Sequence, residues 1–194
     1  LRGTPFIYQG QELGMTNVSW NDINNYDDIS SHGQYKIALS EGFKPDEAMK
    51  FVKYFSRDNA RTPMQWNNKA NAGFSPENVK TWLPVNENYK TINAEAEEKD
   101  PDSVLKFYRK LSALRKNHEA LIAGDYKEIF ADSEEIFAFE RSLNDEKIIT
   151  IVNFTLKPVK VPDEIAKKNL ILSSEKVFDE KELKPLEARI YKEK

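Results

Sequence analysis

Apolar positions along the chain follow two rhythms, and the change between them falls at Gly124. Pro5-Phe6-Ile7-Tyr8 is a short apolar run between Gly3 and Gly10, which predicts a buried strand of a parallel sheet. Residues 9–35 are polar, rich in Asn and Asp and dotted with aromatics; they predict a long loop with a short helix, and long loops are more often functional than neutral. Behind Pro45-Asp46-Glu47, the positions Ala48, Met49, Phe51, Val52 and Phe55 recur at helical spacing. Residues 56–100, punctuated by Gly73, Pro76 and Pro84, predict an irregular loop. A further helix is expected from Asp100 as cap and Pro101 at the first helical position. It carries Val104, Leu105, Tyr108, Leu111 and Leu114 and ends near the cations Arg115, Lys116 and His118.

Past Gly124 the period drops to 2. Tyr126–Phe130, Glu135–Ser142 and Lys147–Phe154 predict strands, with Asn144-Asp145 turning between the last two. Lys157–Val161, Asn169–Leu172 and Glu187–Tyr191 are weaker candidates, and Lys192-Glu193-Lys194 reads as a solvated end. Strands this short and this closely spaced predict a small antiparallel β-sandwich. A mixed α/β segment, residues 1–122, is therefore expected to precede an all-β domain, residues 123–194. A single buried strand is not a fold, since it has no neighbour to pair with. The chain begins with Leu1, so it is expected to be a piece of a longer protein whose earlier part supplies those neighbours.

Composition narrows the function classes. Hydrophobic residues are 39% and charged residues 31% of the 194, a globular balance. Lys plus Arg is 29 against 32 for Asp plus Glu, a net charge of -3, so no nucleic-acid or anionic-membrane partner is expected. No apolar run is long enough to span a membrane. Without cysteine there are no disulfides, zinc–thiolate sites or cysteine nucleophiles, which suits a reducing compartment. No phosphate-binding loop and no metal motif occurs, so neither a cofactor nor a metal is expected.

The densest chemistry lies in Ser56-Arg57-Asp58-Asn59-Ala60-Arg61-Thr62-Pro63-Met64-Gln65-Trp66, a turn-forming segment with two arginines, a carboxylate and a tryptophan. This SRDNARTPMQW run resembles a signature of glycoside hydrolase family 13, in its exo-acting α-glucosidase or oligo-1,6-glucosidase branch. Gly3-Thr4-Pro5-Phe6-Ile7-Tyr8-Gln9-Gly10-Gln11-Glu12-Leu13-Gly14-Met15 resembles the eighth barrel strand of that family. Asn71-Ala72-Gly73-Phe74, Asn88-Tyr89, Ile92-Asn93 and residues 100–116 follow in the family's order, so the resemblance covers essentially the whole chain. It implies the C-terminal part of a (β/α)8 TIM barrel (eighth strand, last helices and loops) followed by the small β-sandwich. It also implies retaining hydrolysis of terminal α-1,6- or α-1,4-linked glucose from short oligosaccharides. The family's nucleophilic Asp, acid/base Glu and second Asp follow strands four, five and seven. No catalytic residue is therefore expected in this chain, and the isolated chain is expected to be inactive.

Carried onto this sequence, the sugar-binding arginine of the branch is Arg57, which the resemblance pairs with an Asp preceding Leu1. A guanidinium fork suits the task, because it grips carboxylates and vicinal hydroxyls in one plane. The structural alternative is a salt bridge that pins the loop. Arg61 is read as loop framing, and Asp58 as a residue that orients an arginine or caps a turn. Ser30 stands where the family often has a Glu, which puts any contact through that carboxylate in question. Glu12 is expected in a buried, hydrogen-bonded supporting role. Packing is favoured over sugar stacking for Trp66 and Trp82, and the two are balanced for Trp20. His32 and His118 are read as surface or cap residues, and Glu95, Glu97 and Glu98 as a solvated face.

The expected partners are an oligosaccharide and the missing N-terminal part of the same enzyme, with self-association of the fragment as the other outcome. A cytoplasmic location follows from the absence of cysteine and from the family's use of imported oligosaccharides. The alternatives are a trehalose-6-phosphate hydrolase within the family, a β tail that acts as a carbohydrate-binding module, and a non-catalytic family relative that serves as an interaction subunit. Against a binding module, residues 125–194 contain no tryptophan.

Overall fold

The computed structural model describes residues 1–193; Lys194, the final residue of the expected sandwich and of the expected solvated end, lies outside the described residues. The chain divides into two compact units, residues 6–108 and residues 1–5 with 109–194.

The unit of residues 6–108 is built on α1 (Ile29–Ser40) and α2 (Pro45–Phe55). α2 forms as its pattern predicts: Pro45 occupies the first turn, and Glu47 Oε2 accepts the Lys44 backbone N–H at 3.0 Å. Ala48, Met49 and Val52 share its buried face, and Met49 and Val52 meet Val18 and Tyr26 in a small core. α1 is longer than the short helix expected there. Its apolar residues Ile29, Ile37 and Leu39 are exposed, so no apolar period marks it.

Residues 56–100 keep their shape through side-chain amides more than through a core. Asn59 Oδ1 accepts the Val18 N–H at 3.1 Å, and its Nδ2 donates to the Lys53 carbonyl at 3.0 Å. Asn71 Nδ2 reaches Ser75 Oγ and the carbonyls of Pro76 and Val79. An amide has donors and an acceptor on a short stem, which explains the asparagine-rich loop. Asn71, Ala72 and Gly73 have φ of 50°, 54° and 69°, and a Cβ on Gly73 would lie 2.3 Å from Asn67 Nδ2. The segment also contains α3 (Ala94–Lys99), capped by Asn93 Oδ1.

Pro5–Tyr8, expected as a buried strand, has no ladder partner among the described residues, and Phe6 is 91% exposed. A strand exists only through its neighbours, and no other described segment of the chain offers one. One expectation needs correction. The late helix, α4 (Val104–Asn117), starts after Asp100 and Pro101. Ser103 caps it, its Oγ accepting the Lys106 N–H at 3.2 Å, while Asp100 Oδ1 accepts from Asp102 in the preceding turn.

The other unit carries α5 (Glu119–Ala123) and then β1 (Asp125–Ile129), β2 (Ile136–Leu143) and β3 (Glu146–Asn153). β4 (Val159–Lys160), α6 (Asp163–Ala166), β5 (Asn169–Ser173), β6 (Glu182–Leu183) and β7 (Ala188–Lys192) complete it. The main sheet is antiparallel throughout, with strand order β1-β2-β3-β7-β5, and β4 pairs with β6 as a separate ribbon. Asn144 turns the β2–β3 hairpin at φ 52°. Alternation sorts the side chains by face. Ile136, Ala138, Ile149, Ile151 and Tyr191 pack with Val159, Val161, Ile165 and Leu183 of the ribbon and α6. Ile148 and Ile190 lie in a second cluster with Ala120 of α5. Arg141, 1% exposed, spends its guanidinium on the carbonyls of Leu1, Leu121, Gly124 and Asp125.

Candidate functional site

Ser56 closes α2, and its hydroxyl accepts the Asp58 N–H at 3.2 Å, starting a single 3-10 turn over Arg57–Ala60. The turn separates its two charged residues. Asp58 is fully buried, whereas the Arg57 side chain is 70% exposed. Asp58 Oδ2 accepts the backbone N–H groups of Asp27 and Asp28 at 2.8 and 3.0 Å, and Oδ1 accepts Arg61 Nη2 at 2.6 Å. The orienting role expected of Asp58 and the framing role of Arg61 are what this geometry contains.

The backbone that Asp58 pins carries Asp28, which caps α1 through Ser30 N–H. Arg57 Nε and Nη2 donate to Asp28 Oδ1 at 3.0 and 2.5 Å, while Ser31 Oγ donates to Oδ2 at 2.9 Å. The Arg57 guanidinium holds the buried Asp28 carboxyl well below the usual carboxylate range; burial opposes this, and Ser31 adds to it. The same bond and charge raise Arg57 in turn. The Asp that the resemblance pairs with Arg57 precedes Leu1; within this chain the carboxylate that Arg57 meets is Asp28. Its signal is present in the sequence: an Asp directly ahead of Ile29-Ser30-Ser31 is a helix-cap pattern.

The tryptophans differ in burial. Trp20 packs edge-on against Tyr26 at 5.0 Å and joins the small core. Burial, with a smaller contribution from the Asp58 charge, pushes the Tyr26 hydroxyl up to about 12. Trp66 and Trp82, expected to pack, are 51% and 63% exposed. Trp82 is nevertheless held: its Nε1 donates to Asp27 Oδ2 at 2.7 Å, and the Arg61 guanidinium carbon lies 5.2 Å from its ring centroid.

Other candidates fall outside this cluster. Glu12 Oε2 is buried and has no hydrogen-bond partner among the described residues. His32 Nε2 lies 2.7 Å from the Tyr26 carbonyl, and His118 Nδ1 lies 2.7 Å from Glu146 Oε1. Glu97 is not merely solvated, since its Oε2 accepts the Leu105 N–H at 3.1 Å. A cleft of about 240 Å³ opens beside the loop, lined by Tyr8, Gln9, Gly10, Met15, Asn59 and Met64 among others. Among the described residues no group of three or more His, Cys, Asp or Glu is gathered as a metal site. Chemically, the cluster is a braced guanidinium with an exposed indole beside it.

The family described as "Alpha amylase, catalytic domain" matches residues 1–124. An oligo-1,6-glucosidase of Parageobacillus thermoglucosidasius is 45% identical over 202 residues, covering 99% of this chain and 36% of its own length. A trehalose-6-phosphate hydrolase of Bacillus subtilis (strain 168) is 36% identical over 99% of the chain and 36% of its own length. The crystal structure of Bacillus licheniformis trehalose-6-phosphate hydrolase superposes with a TM-score of 0.88 at 40% identity, covering 98% of this chain and 36% of that one. The chain thus spans about 36% of the length of the relatives it matches.

Proposed function

The chain belongs to the alpha-amylase catalytic-domain family, and from that premise we propose that it is the C-terminal portion of a retaining α-glucosidase. The enzyme releases terminal α-1,6- or α-1,4-linked glucose from short oligosaccharides in the cytoplasm. Residues 1–122 complete the (β/α)8 barrel, with Pro5–Tyr8 as its eighth strand once neighbouring strands are supplied, and residues 123–194 form the small β-sandwich. The nucleophile and the acid/base carboxylate belong to the remainder of the enzyme; in retaining enzymes they stand roughly 5 Å apart. This portion supplies the grip on the terminal sugar.

One observation carries the reading. Arg57 is clamped along one edge by Asp28, yet its side chain is 70% exposed. A guanidinium held in this way is a planar donor fixed before substrate arrives, so little ordering is lost on binding. Its remaining donors suit vicinal sugar hydroxyls. Fixing the terminal glucose ring positions the glycosidic bond for carboxylates supplied from elsewhere in the barrel.

The test is Arg57→Ala and Arg57→Lys in the complete enzyme, assayed on maltose and isomaltose. Every substrate uses the first glucose site, so kcat/KM should fall on the order of a hundred-fold on both, with little recovery by lysine. Near-normal kcat/KM in folded Arg57→Ala protein would overturn the assignment.

A further inference from the structure

Trp82 is the side chain that the glucose grip leaves unexplained. A tryptophan 63% exposed on an irregular loop would ordinarily be mobile, and its neighbours prevent that here. Leu83 is 2% exposed and anchors the backbone on one side of it. Its indole N–H is fixed by Asp27 Oδ2 at 2.7 Å, and one ring face is backed by the Arg61 guanidinium at 5.2 Å. Both tethers belong to the site. Asp27 directly precedes Asp28, and Arg61 Nη2 lies 4.0 Å from Asp28 Oδ1 while holding Asp58 at 2.6 Å. The indole is therefore tethered by residues that adjoin Asp28, the carboxylate that holds Arg57.

We propose that Trp82 is a stacking platform for a neutral hexopyranose unit of the substrate, beyond the glucose that Arg57 holds. This rests on the glycosidase assignment and names a second contact for the same substrate. The ring face turned away from Arg61 offers an apolar plane to the C–H face of a pyranose, while the Asp27 carboxylate, bonded to the indole N–H, lies at its rim for hydroxyl groups. Charge selects the class of sugar. Asp27, Asp28 and Asp58 oppose Arg57 and Arg61, and each guanidinium is already engaged by a carboxylate. A phosphorylated sugar would meet net negative charge with no free cation in this cluster, whereas a plain sugar would not.

The complete enzyme, wild type and as Trp82→Ala and Trp82→Phe, is titrated with glucose and with sulfur-linked, hydrolysis-resistant maltose and isomaltose. Trp82→Ala should weaken disaccharide binding roughly three- to ten-fold and leave glucose binding unchanged. Trp82→Phe keeps an aromatic plane and should lose about half of that effect on a logarithmic scale. Trehalose-6-phosphate should bind no more tightly than trehalose. Disaccharide binding that is unchanged in both folded variants overturns the platform, and tighter binding of the phosphorylated sugar overturns the neutral class. Absence of glucose release from any α-glucoside would instead defeat the glycosidase assignment; the binding comparison is read independently of it.

Discussion

Glu187 and Arg189 show what a buried charge demands of its neighbours. Both side chains are fully buried, with Arg189 Nε and Nη2 donating to the two Glu187 oxygens at 2.6 and 3.1 Å. Burial pushes the Glu187 carboxyl up, but bonds from Arg189, the Lys184 N–H and Ser173 outweigh it and hold it below the ordinary value. Removing one partner strands the other charge, so Glu187→Gln should destabilise the sheet by about 3–5 kcal/mol in urea unfolding. Glu187→Leu combined with Arg189→Met removes both charges and should recover most of that loss. A single substitution costing under about 1 kcal/mol would show that water reaches the pair. The i, i+2 spacing that sets both residues on one face of a strand is visible in the sequence. Their burial is not, because alternating Glu-Ala-Arg reads equally well as a solvated face. Arg57 is the opposite case. Its motif singled it out, while its partner Asp28 lies two helices earlier in the chain, at the cap of α1, where no spacing rule links the two.

At the scale of elements, strong periodicity made α2 and the β2–β3 hairpin legible, and β5 and β7 were visible only as weaker candidates. What it could not supply was anything held by single polar contacts: the exposed α1, the two-residue β6 and the start of α4 at Ser103. The hairpin illustrates the physical reason, because a lone carboxylate ties it to α5. Glu146 accepts from the Ala120 N–H at 3.3 Å and from Lys192 at 2.9 Å, and its Oε1 lies 2.7 Å from His118 Nδ1. The His118 bond chiefly holds the carboxyl at about 2, against an ordinary 4.5; burial opposes it, and Lys192 and Ala120 add to the lowering. A carboxyl depressed on folding contributes stability that is full above its unfolded value and is lost as protons bind. The contribution should therefore be constant above pH 4.5 and vanish between pH 4.5 and about 2. Discounted for solvent at this partly exposed site, it amounts to about 1–2 kcal/mol. Glu146→Gln should cost that much at pH 7 and nothing at pH 2, so the two unfolding profiles converge on acidification. Parallel profiles across that window would remove the clamp from the account.

For the molecule as a whole, the exposed apolar surface decides behaviour. Among residues 6–108, Phe6 is 91%, Tyr54 73%, Phe55 66% and Ile29 85% exposed, with Phe51 and Ile37 also open to solvent. Single exposed apolar residues are ordinary, but large side chains in this number on one unit of a soluble chain are not. Burying apolar surface is worth roughly 25 cal/mol per Å², so the surface gains by being covered. The chain spans 36% of the length of its oligo-1,6-glucosidase relative, and on the proposed function a preceding barrel portion is the cover. Expressed alone, the 194 residues should self-associate with rising concentration and show no glucosidase activity. Expressed with the preceding portion as a separate polypeptide, they should form a stoichiometric complex and regain activity. Phe6→Ser removes the most exposed of these apolar side chains and should weaken both kinds of association. Sedimentation velocity on the chain alone distinguishes the outcomes. A dispersed monomer at every concentration would mean that the exposed residues need no cover, and the incomplete-barrel account of residues 1–122 would lose its physical support.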